Sequence, residues 1–362
     1  MDIIPLLYLA KTAEASDLHM VAYNPPILRI HGTLKPITDM PQLTPEDMEY
    51  ALSQITAEEE RAEFNENLEL DFGYAIPYLS RFRVNVARQR GTISIAIRLL
   101  PLTIPTIDEL ELPQVCKDLI VKPRGFVVVS GPTGSGKSTT LAAMIDYLNI
   151  TESRRVVTIE DPIEYIHYSQ RCVVTQRELG SDTTSFAEAL RHVLRQDPDV
   201  ILVGEMRDLD TAAAALTIAE TGHLVLTTGH APSASQAIER IVDLFPIHER
   251  NLAQTRLASL LLGVFCQALV PRTNKAGRVA AIEIMLANPA VKNLIRENKI
   301  YQLPNVIRTN TQMGMELLDQ CLVRQHRQGI ISYDNVLAFC NDRDEVKKLI
   351  DSAESQPAAV AS

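Results

Sequence analysis

Gly131-Pro132-Thr133-Gly134-Ser135-Gly136-Lys137-Ser138 matches the pattern G-x-x-x-x-G-K-[ST] at every fixed position. Phe126-Val127-Val128-Val129 before it reads as a buried parallel strand, and Ser138 to Asn149 after it reads as a helix. The loop therefore joins a strand to a helix, the context the pattern requires. Its glycines let the backbone curl until N–H groups and the positive helix end face a phosphate chain. Lys137 supplies a mobile charge for the β- and γ-phosphates, and the Ser138 hydroxyl can ligate Mg²⁺. The segment from Gly131 through Thr139 thus implies binding of a nucleoside triphosphate with Mg²⁺.

Outward from the loop, three further apolar runs each end in polar chemistry. Val156-Val157-Thr158-Ile159 leads into Glu160-Asp161-Pro162, Val200-Ile201-Leu202-Val203 into Gly204-Glu205, and Leu224-Val225-Leu226 into Thr227-Thr228-Gly229-His230. In an open parallel sheet, ligands lie beyond the carboxyl ends of the strands, so four such strands can share one crevice. Alternation with helices, such as Asp210 to Glu220, gives an α/β core. Helices are also expected over Ala234 to Val242, Glu249 to Leu269, Pro289 to Glu297 with Asn288 as N-cap, and Gly314 to Gly329. Residues 114–350 form this domain, and the small polar tail, residues 351–362, is expected to be disordered.

Residues 1–99 read as a smaller α/β domain, with a helix from Ile3 to Ala15, strands near Met20 and Ile27 to Ile30, and a helix after the N-cap Thr44. Ser80 to Val86 and Thr92 to Arg98 alternate polar and apolar residues, the mark of half-buried strands. A turn at Arg90-Gly91 would set Phe82 against Leu99, Val84 against Ile97 and Val86 against Ile95, with every apolar residue on one face. It also sets Arg83 opposite Arg98, where like charges about 5 Å apart repel unless an anion compensates. A phosphate would do so; a solvated basic face is the alternative. Residues 100–113, with Pro101, Pro105 and Pro113, read as a linker.

A chain of 362 residues, 46% of them hydrophobic, can bury the cores of two domains. Its net charge of −10 argues against a machine that tracks nucleic acid. Five cysteines without a C-x-x-C pair point to neither a zinc ribbon nor a disulfide framework. The most apolar stretch, Leu257 to Val270, is shorter than the ~20 residues a spanning helix needs, and no signal peptide is apparent. The chain is expected to be cytoplasmic, with no transmembrane segment, docking at most on a membrane machine.

Phosphoryl transfer needs phosphate positioning, a metal, a group that orients water, and positive charge for the transition state. Glu205, ending an apolar strand, can hold the Mg²⁺ shell. Glu160, at another strand end, can accept the proton of the attacking water. Asp161 is the weaker candidate, since Asp before Pro often only starts a turn. His223 and His230 bracket one strand and are candidates for sensing the γ-phosphate, or structural hydrogen-bonders.

Ala15-Ser16-Asp17-Leu18-His19, Gly131 to Thr140, Thr158 to Tyr165, Leu194-Arg195-Gln196-Asp197-Pro198-Asp199 through Asp208, and Thr221-Gly222-His223-Leu224 together resemble the motifs of the type II/type IV secretion ATPases. The resemblance implies a RecA-like P-loop ATPase core with a PAS-like N-terminal domain. It implies a homohexameric ring, with the N-terminal domain of one subunit packed on the core of the next and ATP between the domains of each chain. By motif position it implies Glu160 as general base and Glu205 at the metal. It implies Arg83 and Arg98 as clasping arginines, Arg195 as a further candidate, and His223 and His230 as functional.

The lack of a tetracysteine module resembles the pilus-retraction branch, and Val291-Lys292-Asn293-Leu294-Ile295-Arg296-Glu297 resembles a family motif tied to retraction rather than hydrolysis. The implied partner is an inner-membrane pilus platform protein, with an accessory retraction ATPase as a further one and the chain peripheral at the inner face of the membrane. An accessory motor, another filament system, a weakly hydrolysing nucleotide-gated ring and a nucleic-acid translocase are the competing readings. Gly229-His230-Ala231 departs from the family's usual Leu-His-Thr.

Overall fold

The computed structural model describes residues 1–354 apart from 31, 78, 102 and 274–276. It divides into two compact units, Met1–Thr103 with Glu164–Ile166, and the remainder from Ile104 onward.

The first unit is built on six strands: β1 (Asp17–Val21), β2 (Ile27–Ile30), β3 (Thr33–Pro36), β4 (Glu69–Ile76), β5 (Ser80–Gln89) and β6 (Thr92–Leu100). They form an antiparallel sheet in the order β3-β2-β1-β6-β5-β4. Its apolar face carries Phe82, Val84, Val86, Ile95 and Ile97, all buried with Leu6, Leu7 and Met48 from the helices Ile4–Thr12 and Pro45–Ile55. The second of these helices starts as expected at Thr44, whose hydroxyl accepts from Asp47 N while Asp47 accepts from Thr44 N. The β5–β6 register pairs Phe82 with Leu99, Val84 with Ile97, Val86 with Ile95 and Arg83 with Arg98, as alternation about the Arg90-Gly91 turn predicts.

The second unit is a seven-stranded sheet of β7 (Gly125–Ser130), β8 (Arg155–Glu160), β9 (Val173–Glu178), β10 (Val200–Val203), β11 (Leu224–Thr228), β12 (Leu261–Pro271) and β13 (Arg278–Leu286). The order is β13-β12-β7-β11-β10-β8-β9, parallel throughout except for β13. Both faces of β7 are buried: Phe126 and Val128 join one apolar cluster, Val127 and Val129 another. A strand covered on both sides reads as a continuous apolar run, and this one does. The four strands singled out from sequence are neighbours, so their carboxyl ends do share one edge.

Four expectations change. The helix predicted over Glu249 to Leu269 stops at Leu260, and Leu261–Pro271 becomes β12, inserted between β7 and β13. An unbroken apolar run has no period to separate a buried helix from a buried strand. Gly263 reflects the strand environment, since a Cβ there would lie 2.9 Å from Leu119 Cδ1 and 3.2 Å from the Met285 carbonyl. The helix expected from Gly314 begins only at Leu318, because Glu316 pairs with Ile284 at the edge of β13. The stretch read as a linker is partly packed: Ile107 and Leu112 are buried in the core of the second unit. The last helix, Arg343–Glu354, runs into the expected tail, and residues 355–362 lie outside the described residues.

Candidate functional site

The loop between β7 and the helix Lys137–Thr151 has the shape its sequence demands. Gly131 takes φ +140°, and a Cβ there would lie 2.3 Å from the Gln267 carbonyl oxygen and 2.7 Å from Ser135 Oγ. Only glycine fits so close an approach. Gly136 caps the helix in the left-handed region, and no acidic residue stands in the first turn to oppose an anion at its positive end. Lys137 is buried, its Nζ donating to the carbonyls of Gly131 at 2.8 Å and Pro132 at 3.0 Å. The Ser135 hydroxyl is buried with no hydrogen-bond partner among the described residues. A loop offering its amides, an ammonium and a spare hydroxyl fits a phosphate chain.

Two carboxylates stand at the same sheet edge. Glu160 ends β8, and its Oε1 accepts from Thr158 Oγ1 at 2.6 Å and Gln176 Nε2 at 3.0 Å. The Gln176 oxygen in turn accepts from His167 N at 2.8 Å, which fixes the orientation of the amide. Glu205 follows β10 and Gly204, largely buried, with Arg207 Nε at 2.6 Å from Oε1 and His230 Nε2 at 3.6 Å from Oε2. Thr228, the last residue of β11, donates its hydroxyl to the Gly204 carbonyl and ties the two loops together.

The loop after β11 is locked to the strand that feeds the phosphate loop. Ser130 Oγ donates to the Ala231 carbonyl at 2.7 Å and accepts from Ala231 N at 2.9 Å. A cavity of about 210 Å³ opens beside it, lined by Met206, Arg207, Thr228, His230 and Arg240 among others. Glu283 on β13 is a buried carboxylate that accepts from Ala234 N at 2.7 Å and Leu318 N at 3.4 Å. Burial raises its pKa above the ordinary glutamate value, partly offset by those two bonds.

The structure brings Gly131 to Thr139, Glu160, Glu205 and His230 to one edge of one sheet. It does not bring His223 there. His223 precedes β11, at the amino end of the strand, where its carbonyl accepts from Gly125 N and its Nδ1 lies 3.1 Å from the Ile218 carbonyl. Arg195 is at that opposite edge too, 3.2 Å from His192 and next to Gln196, whose carbonyl accepts from Arg155 at the start of β8. Arg83 and Arg98 belong to the first unit, on β5 and β6. Sequence reasoning missed Gln176 and Gln267; the one local signal for Gln267 is a lone amide inside an apolar run.

Among the described residues, no cluster of three or more His, Cys, Asp or Glu side chains could hold a metal unaided, and no helix is long and apolar enough to cross a membrane. All five cysteines are free thiols, and burial pushes that of Cys116 up to about 12.

Residues 10–353 match the family described as type II/IV secretion system protein. The chain is 46% identical over 335 residues to the type IV pilus retractation ATPase PilT of Pseudomonas aeruginosa, covering 92% of this chain and 97% of that protein. It is 40% identical over 350 residues to the type IV pilus ATPase PilU of the same organism, covering 97% and 91%. The fold is similar to a crystal structure of the pilus retraction motor PilT with bound ADP, at a TM-score of 0.89 and 43% identity over 96% of this chain and 99% of that one.

Proposed function

The chain belongs to the type II/IV secretion system protein family, and from that membership we propose that it is a homohexameric motor that hydrolyses ATP to retract type IV pili. The observation that carries this reading is the span of the likeness to a retraction ATPase, which runs through both units rather than the phosphate loop alone.

Residues 131–139 bind the phosphates, and Lys137 moves its charge from the loop carbonyls onto them. Glu160, steadied by Thr158 and Gln176, accepts the proton of the attacking water, a role contributing about 10²–10⁴ in rate. Ser138 and Glu205 offer the oxygen donors a hard cation prefers and would hold Mg²⁺, which neutralises phosphate charge. Arg83 and Arg98, from this or a neighbouring subunit, supply positive charge for the transition state. His230 senses the γ-phosphate, a role supported by its Nε2 lying 3.6 Å from Glu205 Oε2. Arg195 and His223, at the other sheet edge, act in contacts there rather than in chemistry. The partner is an inner-membrane pilus platform protein, and the motor works peripherally at the inner face of the membrane.

A second reading, an accessory retraction ATPase, is favoured by the extent of the likeness to PilU. One genetic experiment separates them: the gene is deleted in its host and restored as wild type or as Glu160→Gln. Abundant surface pili without twitching, rescued only by the wild type, is the expected result. Loss of pili would make the chain an assembly motor, and an unchanged phenotype would favour the accessory reading.

A further inference from the structure

Gln267 lies on β12 one residue beyond the cross-strand pair Cys266–Ser130, level with the start of the phosphate loop. It is 3% exposed and bonded at both ends of its side chain. Its Nε2 donates to the Ser135 carbonyl at 2.7 Å, and its Oε1 accepts from Thr140 Oγ1 at 3.0 Å. A carbonyl can only accept, so the nitrogen belongs on the Ser135 side. The backbone makes the third contact, since the Gln267 carbonyl fills the space a Cβ on Gly131 would need. One residue therefore touches Gly131 and Ser135 before Gly136-Lys137-Ser138 and Thr140 after it.

We propose that Gln267 is a positioning residue that sets the phosphate loop for nucleoside di- and triphosphates. In a trans peptide the C=O and the following N–H point in opposite directions. Holding the Ser135 carbonyl toward β12 therefore turns Gly136 N–H away from β12. The bond to Thr140 anchors the same amide to the first turn of the helix, so the clip relates loop to helix. Because Gln267 holds the loop and touches neither Glu160 nor Glu205, its loss weakens nucleotide binding more than it slows hydrolysis at saturation. This inference rests on the nucleotide-binding reading given above.

The test compares full-length wild type with Gln267→Leu, Gln267→Glu and Thr140→Val. Binding of a fluorescent ADP analogue, KM and kcat for ATP, and thermal unfolding without nucleotide are measured for each. Gln267→Leu is expected to raise both the ADP Kd and the ATP KM by about 10-fold, the scale of one or two net hydrogen bonds, while kcat falls less than KM rises. Gln267→Glu should be at least as impaired, because an ionised carboxylate cannot donate to the Ser135 carbonyl. Thr140→Val, which frees the anchor and leaves the Ser135 bond, should cost about 2- to 3-fold. If Gln267→Leu does not fold, the other two variants decide. Folded variants with wild-type Kd and KM overturn the proposal, as does a loss of kcat with KM unchanged. Wild type that fails to bind ADP would overturn the ATPase reading itself.

Discussion

Asp17 and Arg98 stand opposite each other on β1 and β6, and Arg98 Nε donates to Asp17 Oδ1 at 3.0 Å. Arg98 is also the cross-strand partner of Arg83, so a carboxylate from the next strand compensates the like-charge pair. Ser16 Oγ donates to the other Asp17 oxygen at 2.8 Å, and Arg29 Nε lies 3.7 Å from it. Sequence alone asked for an anion near Arg83 and Arg98; the sheet supplies one. Arg83, exposed and with no carboxylate partner among the described residues, is the less committed of the two.

Arg83→Ala is therefore expected to cost more than Arg98→Ala in ATP turnover. The loss for Arg83 should approach the order of 10³ typical of an arginine that meets a transferring phosphoryl group, with ADP affinity little changed. Asp17→Asn leaves the arginines facing one another and should lower the stability of the first unit by about 1 kcal/mol or less, since Arg98 is largely solvated. Steady-state turnover and urea unfolding check both. Wild-type turnover in Arg83→Ala would remove it from the mechanism.

How much of this was legible in the sequence depends on how locally each feature is determined. The β5–β6 register was readable because two strictly alternating strands meet at a turn whose Arg90 and Gly91 both take positive φ, 49° and 76°. Glu160 and Glu205 were readable because each stands at the carboxyl end of an apolar run, Glu205 after the single residue Gly204. β12 was not, for it is buried on both faces and carries no alternation. Gln267 was not, because its meaning comes from Thr140, 127 residues away in sequence. His223 was open to a better reading: a residue that precedes a parallel strand lies at the amino edge, and the carboxyl-edge rule applied to His230 alone.

Acid should unfold the second unit partly through His167. Its ring is buried, Nδ1 has no partner among the described residues, and burial lowers its pKa from 6.5 to about 4. The unfolded chain therefore binds a proton that the folded chain refuses, so stability is complete above pH 6.5 and is lost as pH falls toward 4. The loss amounts to about 3 kcal/mol. Denaturant unfolding of wild type and His167→Phe from pH 7 to pH 4 measures it, with the difference between them shrinking in wild type's disfavour across that window. A constant difference would mean that the imidazole titrates normally.

The helix Pro289–Arg296 separates its packing face from its free face. Asn288 caps it by accepting from Val291 N at 2.9 Å, and Val291 and Ile295 are fully buried while Asn293, Arg296 and Glu297 are exposed. If the likeness of this segment to a retraction motif holds, the exposed face meets a partner. Arg296→Ala should then leave folding within about 0.5 kcal/mol and ATP turnover near wild type, as expected for an exposed position, yet abolish twitching. Normal twitching with normal expression would return the helix to a purely structural role.

Gly229 is packed directly against Ser130. A Cβ at position 229 would lie 2.9 Å from Ser130 Oγ and 3.3 Å from its Cβ, while Oγ is held in place by both backbone groups of Ala231. The side chain that locks the His230 loop thus occupies the space the missing one would take. Gly229→Ala alone should cost about 1–3 kcal/mol through overpacking and displace His230 from Glu205. Ser130→Ala alone should cost a similar amount by stranding the Ala231 N–H and carbonyl. Combined, the two changes leave only the 3.3 Å contact to relieve, so the double variant should be more stable than the sum by about 0.5–3 kcal/mol. Unfolding of all four proteins closes the cycle; strict additivity would mean that Ser130 is not what keeps position 229 a glycine.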